Sequence, residues 1–221
     1  MTYILNIETS TKNCSVSLAL NGETIAVKEI AEAGFSHAEK LHIYFEDILN
    51  ENNLAFKNLS AVAVSQGPGS YTGLRIGVSA AKGLCYSLDI PLIDIDTLKS
   101  LASQVKFDDG IIIPMIDARR MEVYSAVFNH KLEKIRAVEA QIIDENSFSN
   151  IDEKIYIVGD CQEKLKTVLT KDNFVFLDAI IYPSAKEMSI VSFQKYQNND
   201  FADVAYFEPY YLKDFMITTS K

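Results

Sequence analysis

Residues 3–8 (YILNIE) are rich in β-formers, and residues 14–20 (CSVSLAL) alternate polar and apolar positions, as a half-buried strand does. Asn21-Gly22 follows, and ETIAVKEI at 23–30 reads as another strand. An Asn-Gly pair between two strand-like runs predicts a tight hairpin, because both turn positions tolerate positive φ. The spacing then changes. Ser36 and Glu39 stand as a capping box, and Leu41, Tyr44, Phe45 and Ile48 recur three and four residues apart, predicting an amphipathic helix. AVAVS at 61–65 is a short strand of the buried type. It runs into a turn cluster, Gln66-Gly67-Pro68-Gly69-Ser70-Tyr71-Thr72-Gly73, and then a helix to about Leu88. IPLIDI at 90–95 predicts a strand and 96–105 a short helix.

The order β-β-β-α-β-α-β-α is that of a ribonuclease H-like unit, a mixed sheet flanked by helices. The pattern then restarts. IIIPMID at 111–117 mirrors YILNIE, an apolar strand ending in a carboxylate, and MEVYSAVF at 121–128 follows as CSVSLAL follows the first. KIYIVGD at 154–160 predicts a strand and turn leading to a helix at about 161–170, and residues 184–197 form a last helix. This reads as an internal duplication with a degraded second copy, giving an α/β actin-like ATPase fold of two related lobes. The lobes fall at residues 1–105 and 106–221, with the last helix free to pack back on the first lobe. The alternative is a generic α/β chain with two similar strand starts.

The glycine-rich passage GPGSYTGLRIG at 67–77 joins a strand to a helix, a place where backbone N–H groups can meet an anion. It is neither a Walker loop nor GxGxxG, and Pro68 removes one N–H. The bland reading is a tight turn capped by Ser70 or Thr72. Gly73, Gly77 and Ala81 then lie four apart on one helical face. A helix-interior glycine costs roughly 1 kcal/mol relative to alanine, so the stripe predicts close approach of another helix, in this chain or on a partner. Glu8-Thr9-Ser10 ends the first strand where actin-like ATPases place a carboxylate and small hydroxyls. Asp117-Ala118-Arg119-Arg120 holds the matching place in the second half without a glycine, which argues against a two-sided nucleotide clamp.

Composition narrows the classes. The 221 residues are 48% hydrophobic and 23% charged, and the chain carries −9 with only four arginines, Arg75, Arg119, Arg120 and Arg136. Phosphate neutralisation supplies most non-specific nucleic-acid affinity, so solo tRNA or DNA binding is disfavoured. No carboxylate falls between Asn52 and Leu88, where Lys57, Arg75 and Lys82 stand; that island suits an anionic ligand or acidic partner, or simply buried helices. Cys14, Cys85 and Cys161 form no CxxC and fit a reducing compartment. There is no secretory signal and no apolar run near the roughly 20 residues of a membrane span, so a cytoplasmic location is expected. His37 and His42 are five apart and cannot share a metal as an i, i+4 pair could; no HExxH or GxSxG occurs.

Together these stretches resemble the TsaB (YeaZ) family, the B component of the bacterial tRNA threonylcarbamoyladenosine machinery. The resemblance lies in ILNIETST at 4–11, SHAEKL at 36–41, SQGPGSYTGLRIGVSAAKGL at 65–84, IPLIDIDTLKSLA at 90–102, IDARRMEVYSAVF at 116–128 and EPYYLK at 208–213. Glu8 stands where many relatives have Asp, and Lys213 where many have Arg. The resemblance implies an actin-like fold with no catalytic or metal-binding residues. It implies an accessory role beside a catalytic TsaD-type transferase, a TsaE-type ATPase and, through the complex, tRNA. The reaction is threonylcarbamoyl transfer to N6 of adenosine 37 in tRNAs reading codons that begin with A. It implies docking through two helices, with Ser36, His37, Leu41, Tyr44, Gly73, Arg75, Gly77 and Ala81 as interface residues. Candidate nucleotide contacts are Glu8, Thr9, Ser10, Gly67, Gly69, Ser70, Tyr71 and Thr72, with ATP or ADP belonging to the complex interface and no cofactor of the chain's own. Whether the free chain forms homodimers stays open, and a small-molecule kinase or ATPase is the competing reading.

Overall fold

The structure, a computed structural model, describes residues 1–31 and 37–213. The first sheet has the order β3-β2-β1-β4-β5. Its strands are β1 (Tyr3–Glu8), β2 (Asn13–Leu20), β3 (Glu23–Ala31), β4 (Ala61–Gly67) and β5 (Leu92–Asp96). β1 pairs antiparallel with β2 and parallel with β4, so it is the central strand and is buried almost throughout. The hairpin turns where expected, with positive φ at both Asn21 and Gly22. On one face lie α1 (His37–Glu51) and α2 (Tyr71–Leu88). Leu41, Phe45 and Ile48 of α1 and Val78, Ala81 and Cys85 of α2 join Leu5, Ile7, Val16 and Val64 in one core.

The second sheet repeats that order as β10-β9-β6-β7-β8, with β6 (Ile111–Asp117) in the central role of β1. β7 is Glu122–Asn129, β8 Lys134–Ile142, β9 Ile155–Gly159 and β10 Phe174–Phe176. β8 and β10 are strands that the sequence pattern did not predict. The helix expected at 161–170 is only α4 (Gln162–Leu165), followed by turns through a stretch carrying β-branched Thr167, Val168 and Thr170. The helix at 96–105 is α3 (Thr97–Ala102), capped by Asp96, whose side chain accepts from the Lys99 N–H at 3.1 Å. The last helix divides into a 3-10 turn (Ala185–Met188) and α5 (Ser189–Gln197).

The two halves exchange their last helices. α3 follows the first sheet, yet Leu98, Leu101 and Ala102 share a core with Ile112, Ile116, Phe128 and Val158 of the second. α5 follows the second sheet, and Val191, Phe193 and Tyr196 pack on Ile4, Ala63 and Ile93 of the first. A buried polar layer fixes the latter. Asn6 Nδ2 donates to Ser189 Oγ at 3.3 Å, and Ser17 Oγ donates to the Ala185 carbonyl at 2.7 Å. No helix among the described residues is long and apolar enough to cross a membrane.

Candidate functional site

β1 and β4 run parallel, so the turn after Glu8 and the glycine-rich loop after Ser65 emerge side by side at the carboxyl end of the first sheet. They close on each other. The Ser70 N–H donates to the Ser10 carbonyl at 2.6 Å, and Thr9 Oγ1 donates to the Gly73 carbonyl at 2.8 Å. A Cβ at Gly69 would collide with the Ser10 carbonyl, one at Gly73 with the Thr9 carbonyl, and one at Gly77 with Thr9 Oγ1. This corrects the docking role assigned to the small-residue stripe. Gly73, Gly77 and Ala81 are buried within the chain, and the β1–β2 turn is the close neighbour that required glycine. Leu41 is likewise a core residue. His37 is buried, with its Nε2 2.8 Å from the Thr11 carbonyl, and acts as a donor there. Tyr44 is half-buried at the edge of the same core, and Ser36 lies outside the described residues.

Glu8 is fully buried. Its Oε1 accepts from the Ser10 N–H at 2.6 Å and from Ser65 Oγ at 3.0 Å, while Oε2 has no partner among the described residues. Burial pushes the carboxyl above its usual range, opposed by hydrogen bonds from Ser10, Ser65 and Thr9. The actin-like class implies a nucleotide with its metal at this turn, and the residues do not fit one. Gly67 N–H is spent on Thr97 Oγ1 and Gly73 N–H on the N-cap Ser70 Oγ. The Ser70 N–H is committed as well and Pro68 has none, which leaves the N–H groups of Gly69 and Thr72 without a partner among the described residues. Of the residues expected to contact a nucleotide, Glu8, Thr9, Ser10 and Gly67 are buried and bonded within the chain, Gly69 is half-buried against Ser10, and Ser70 is exposed as the cap of α2. Thr72 is exposed at the helix start.

Sequence reasoning missed the strap that covers this loop. The Tyr210 N–H donates to the Gln66 carbonyl at 2.7 Å, and the Tyr210 carbonyl lies over Gly67. The Tyr211 ring sits 4.6 Å from that of Tyr71, and Arg75 stacks over Tyr71 at 4.2 Å while hydrogen-bonding Tyr211. Lys82 Nζ donates to the carbonyls of Ala205 and Phe207, and Lys213 pairs with Glu122 of the second half. The aromatic pair in EPYYLK was its sole sequence signal.

At the matching end of the second sheet, the Asp117 N–H donates to Asp160 Oδ1 at 2.8 Å, and Asp117 pairs with Lys164. Burial raises the Asp160 carboxyl, with the Asp117 charge adding to that and Lys12 opposing it. Between α1 and α2, on the side away from the sheet, a shallow groove is lined by Ala38, His42, Ile76, Ala80, Gly83 and Leu84. Ile43 and Tyr86 stand exposed beside it, and a Cβ on Gly83 would meet open space.

Two sheets with one repeated strand order, each between helices, define an actin-like ATPase fold. The sequence pattern of the family described as "TsaD: tRNA N6-adenosine threonylcarbamoyltransferase" matches residues 30–207. The chain is 38% identical over 128 residues to the tRNA threonylcarbamoyladenosine biosynthesis protein TsaB of Bacillus subtilis, 58% of this chain and 56% of that protein. That alignment thus spans about half of the relative. A second TsaB, from Buchnera aphidicola subsp. Acyrthosiphon pisum, is 30% identical over 197 residues, 84% of this chain and 86% of its own length. The solved structure of YeaZ from Pseudomonas aeruginosa superimposes with a TM-score of 0.82 at 25% identity, covering 96% of this chain and 100% of that one. The chain belongs to the TsaB (YeaZ) family.

Proposed function

We propose that this chain is a non-catalytic subunit of the assembly that makes N6-threonylcarbamoyladenosine at position 37 of tRNAs reading codons that begin with A, and that it activates the transferase subunit. The observation that carries this reading is the filled turn. Open α/β sheets receive ligands at the carboxyl ends of their strands, which is where the β1–β2 turn and the loop after β4 lie. Here Thr9 and Ser10 close against the loop and the Glu8 carboxylate is fully buried, which supports a first half without phosphate chemistry of its own. What remains for the first half to offer is a surface, and α1 and α2 supply it. Their outer groove is apolar and open, and glycine at 83 leaves room for a neighbouring helix. The transferase's own family pattern matches this chain, so the partner has a related helix pair to set against it. A second copy of this chain could use the same face when free. A TsaE-type ATPase completes the cycle in this reading, and ATP or ADP belongs to the assembled interface.

Ala80→Arg with Gly83→Arg is expected to abolish co-purification with the transferase subunit and to lower threonylcarbamoyladenosine in cellular tRNA, with the thermal midpoint nearly unchanged. Normal co-purification removes the helix-face reading. Calorimetry of the isolated chain with ATP and magnesium is expected to show neither tight binding nor turnover; turnover would make it a kinase or ATPase.

A further inference from the structure

The β6–β7 turn is unlike the rest of the surface. Arg119 and Arg120 both have left-handed backbones, at φ 77° and 53°. Such a conformation costs a non-glycine residue roughly 1–2 kcal/mol. The turn is held in it from several sides. The Arg119 N–H donates to Asp117 Oδ1 at 2.9 Å, the Glu122 N–H to the Arg119 carbonyl at 3.1 Å, and Lys164 Nζ to the Arg120 carbonyl at 2.6 Å. Strain that the surroundings enforce this firmly is typical of functional positions.

The turn displays two cations. Of the four arginines, Arg75 is engaged with Tyr71 and Tyr211, and Arg136 donates to Ser125 Oγ and lies over Phe148. The guanidinium groups of Arg119 and Arg120 make no ion pair or hydrogen bond among the described residues, and both residues are exposed. Nearby carboxylates are already matched. Asp117 pairs with Lys164, Glu122 pairs with Lys213, and Asp160 is hydrogen-bonded to the Asp117 N–H. Lys12, exposed on the β1–β2 turn, is close enough to Asp160 to feel its charge, and Lys213 and Arg119 both act on Tyr124. Cations from both halves therefore gather at the carboxyl ends of the central strands, where open α/β sheets receive ligands. No large hydrophobic residue is exposed between Asp117 and Tyr124, so the patch lacks the apolar centre of a protein interface.

We propose that Arg119 and Arg120, flanked by Lys12 and Lys213, form a contact for the phosphate backbone of tRNA that works once this chain is in its complex. Guanidinium forks match phosphate oxygens in pairs, and such contacts set the position of a nucleic acid without reading its sequence. A patch this small cannot hold RNA against the remaining charge of a −9 chain, which is why it acts as one part of a surface shared with the partner. The inference rests on the subunit role proposed above.

The test measures tRNA affinity of the assembled complex against salt concentration. Asparagine tolerates the left-handed backbone, so Arg119→Asn with Arg120→Asn removes charge without endangering the turn. The double variant should co-purify with the transferase normally, bind tRNA about tenfold more weakly near 0.1 M salt, and lower the log–log salt slope by about 2. Arg119→Lys with Arg120→Lys should keep the slope. Unchanged tRNA affinity and slope in the asparagine variant overturn the inference while leaving the subunit role intact. Loss of co-purification by that variant alone overturns it in favour of an acidic protein surface, and weakened ATP binding with intact tRNA binding in favour of a nucleotide. If the wild-type chain fails to assemble, the subunit role falls and this contact falls with it.

Discussion

The turns after β1 and β6 begin alike and end differently. Each follows the central strand of a five-stranded sheet of the same order, and each starts from a carboxylate, Glu8 or Asp117. After Glu8 the chain folds inward. Thr9 and Ser10 are buried, and Gly73 and Gly77 of the 18-residue α2, with Gly69 in the loop before it, leave out the side chains that would collide with them. After Asp117 the chain turns outward through two left-handed arginines, and the helix beside it, α4, has four residues and no glycine. The two sheets share one strand frame, and the helix beside each turn decides whether that turn becomes packing or surface. The inward turn spends its polar groups within the chain, whereas the outward one presents two guanidinium groups to its surroundings.

The largest test of this contrast removes what the first half borrows. A chain ending at residue 183 lacks the 3-10 turn and α5, leaving Ile4, Ala63 and Ile93 uncovered. It is expected to show no cooperative thermal transition, and a normal transition would mean that the halves are independent. Next in size is Gly73→Ala. The added Cβ meets the Thr9 carbonyl, a backbone atom that cannot rotate away, so a loss of about 3 kcal/mol is expected in urea denaturation. Alkylation sharpens the reading. The Cys14 thiol is buried and pushed up to about 11, and that of Cys161 to about 12, so neither reacts at neutral pH until its half opens. In the variant both should become reactive together. Reaction at Cys14 alone would break the coupling.

Glu8→Gln should have a smaller and pH-dependent effect. The folded-state carboxyl sits above its ordinary 4.5, so the folded chain holds the proton more tightly than the unfolded one. Its contribution is full below about 4.5 and is lost as pH rises through the raised value. Glutamine has no charge to bury, so the melting temperature of the variant should gain on wild type as pH climbs toward 8. Parallel curves would mean that the carboxyl is ordinary. The smallest effect is expected at Gly83, where a Cβ meets nothing. Gly83→Ala should stabilise by about 0.5–1 kcal/mol, opposite in sign to Gly73→Ala on the same helix.

Local patterns made most of the first half readable. The Asn21-Gly22 turn, the cap at Ser70 and the span of α2 all follow from chemistry within a few residues. β8 was missed because an edge strand carries charge: Lys134, Arg136 and Glu139 interrupt its apolar pattern, and two bulges disturb its pairing with β7. β10, three residues long, is too short for any period to show. The stripe of Gly73, Gly77 and Ala81 shows the limit for sites. Sequence establishes that something must come close to that face, but the identity of the neighbour, Thr9, is a tertiary fact. The Tyr210–Tyr211 strap was equally hidden, since its contacts are backbone hydrogen bonds and ring stacking on residues more than a hundred positions away.

The swap of α3 and α5 also bears on how the polypeptide is born. During synthesis the first sheet emerges early, but the helix that shelters its second face, α5, follows only after the whole second sheet. Translation must therefore pass α5 before Ile4 and Ile93 leave water. Nascent chains stalled before Ser189 should depend on chaperones in a way that chains extending past Gln197 do not.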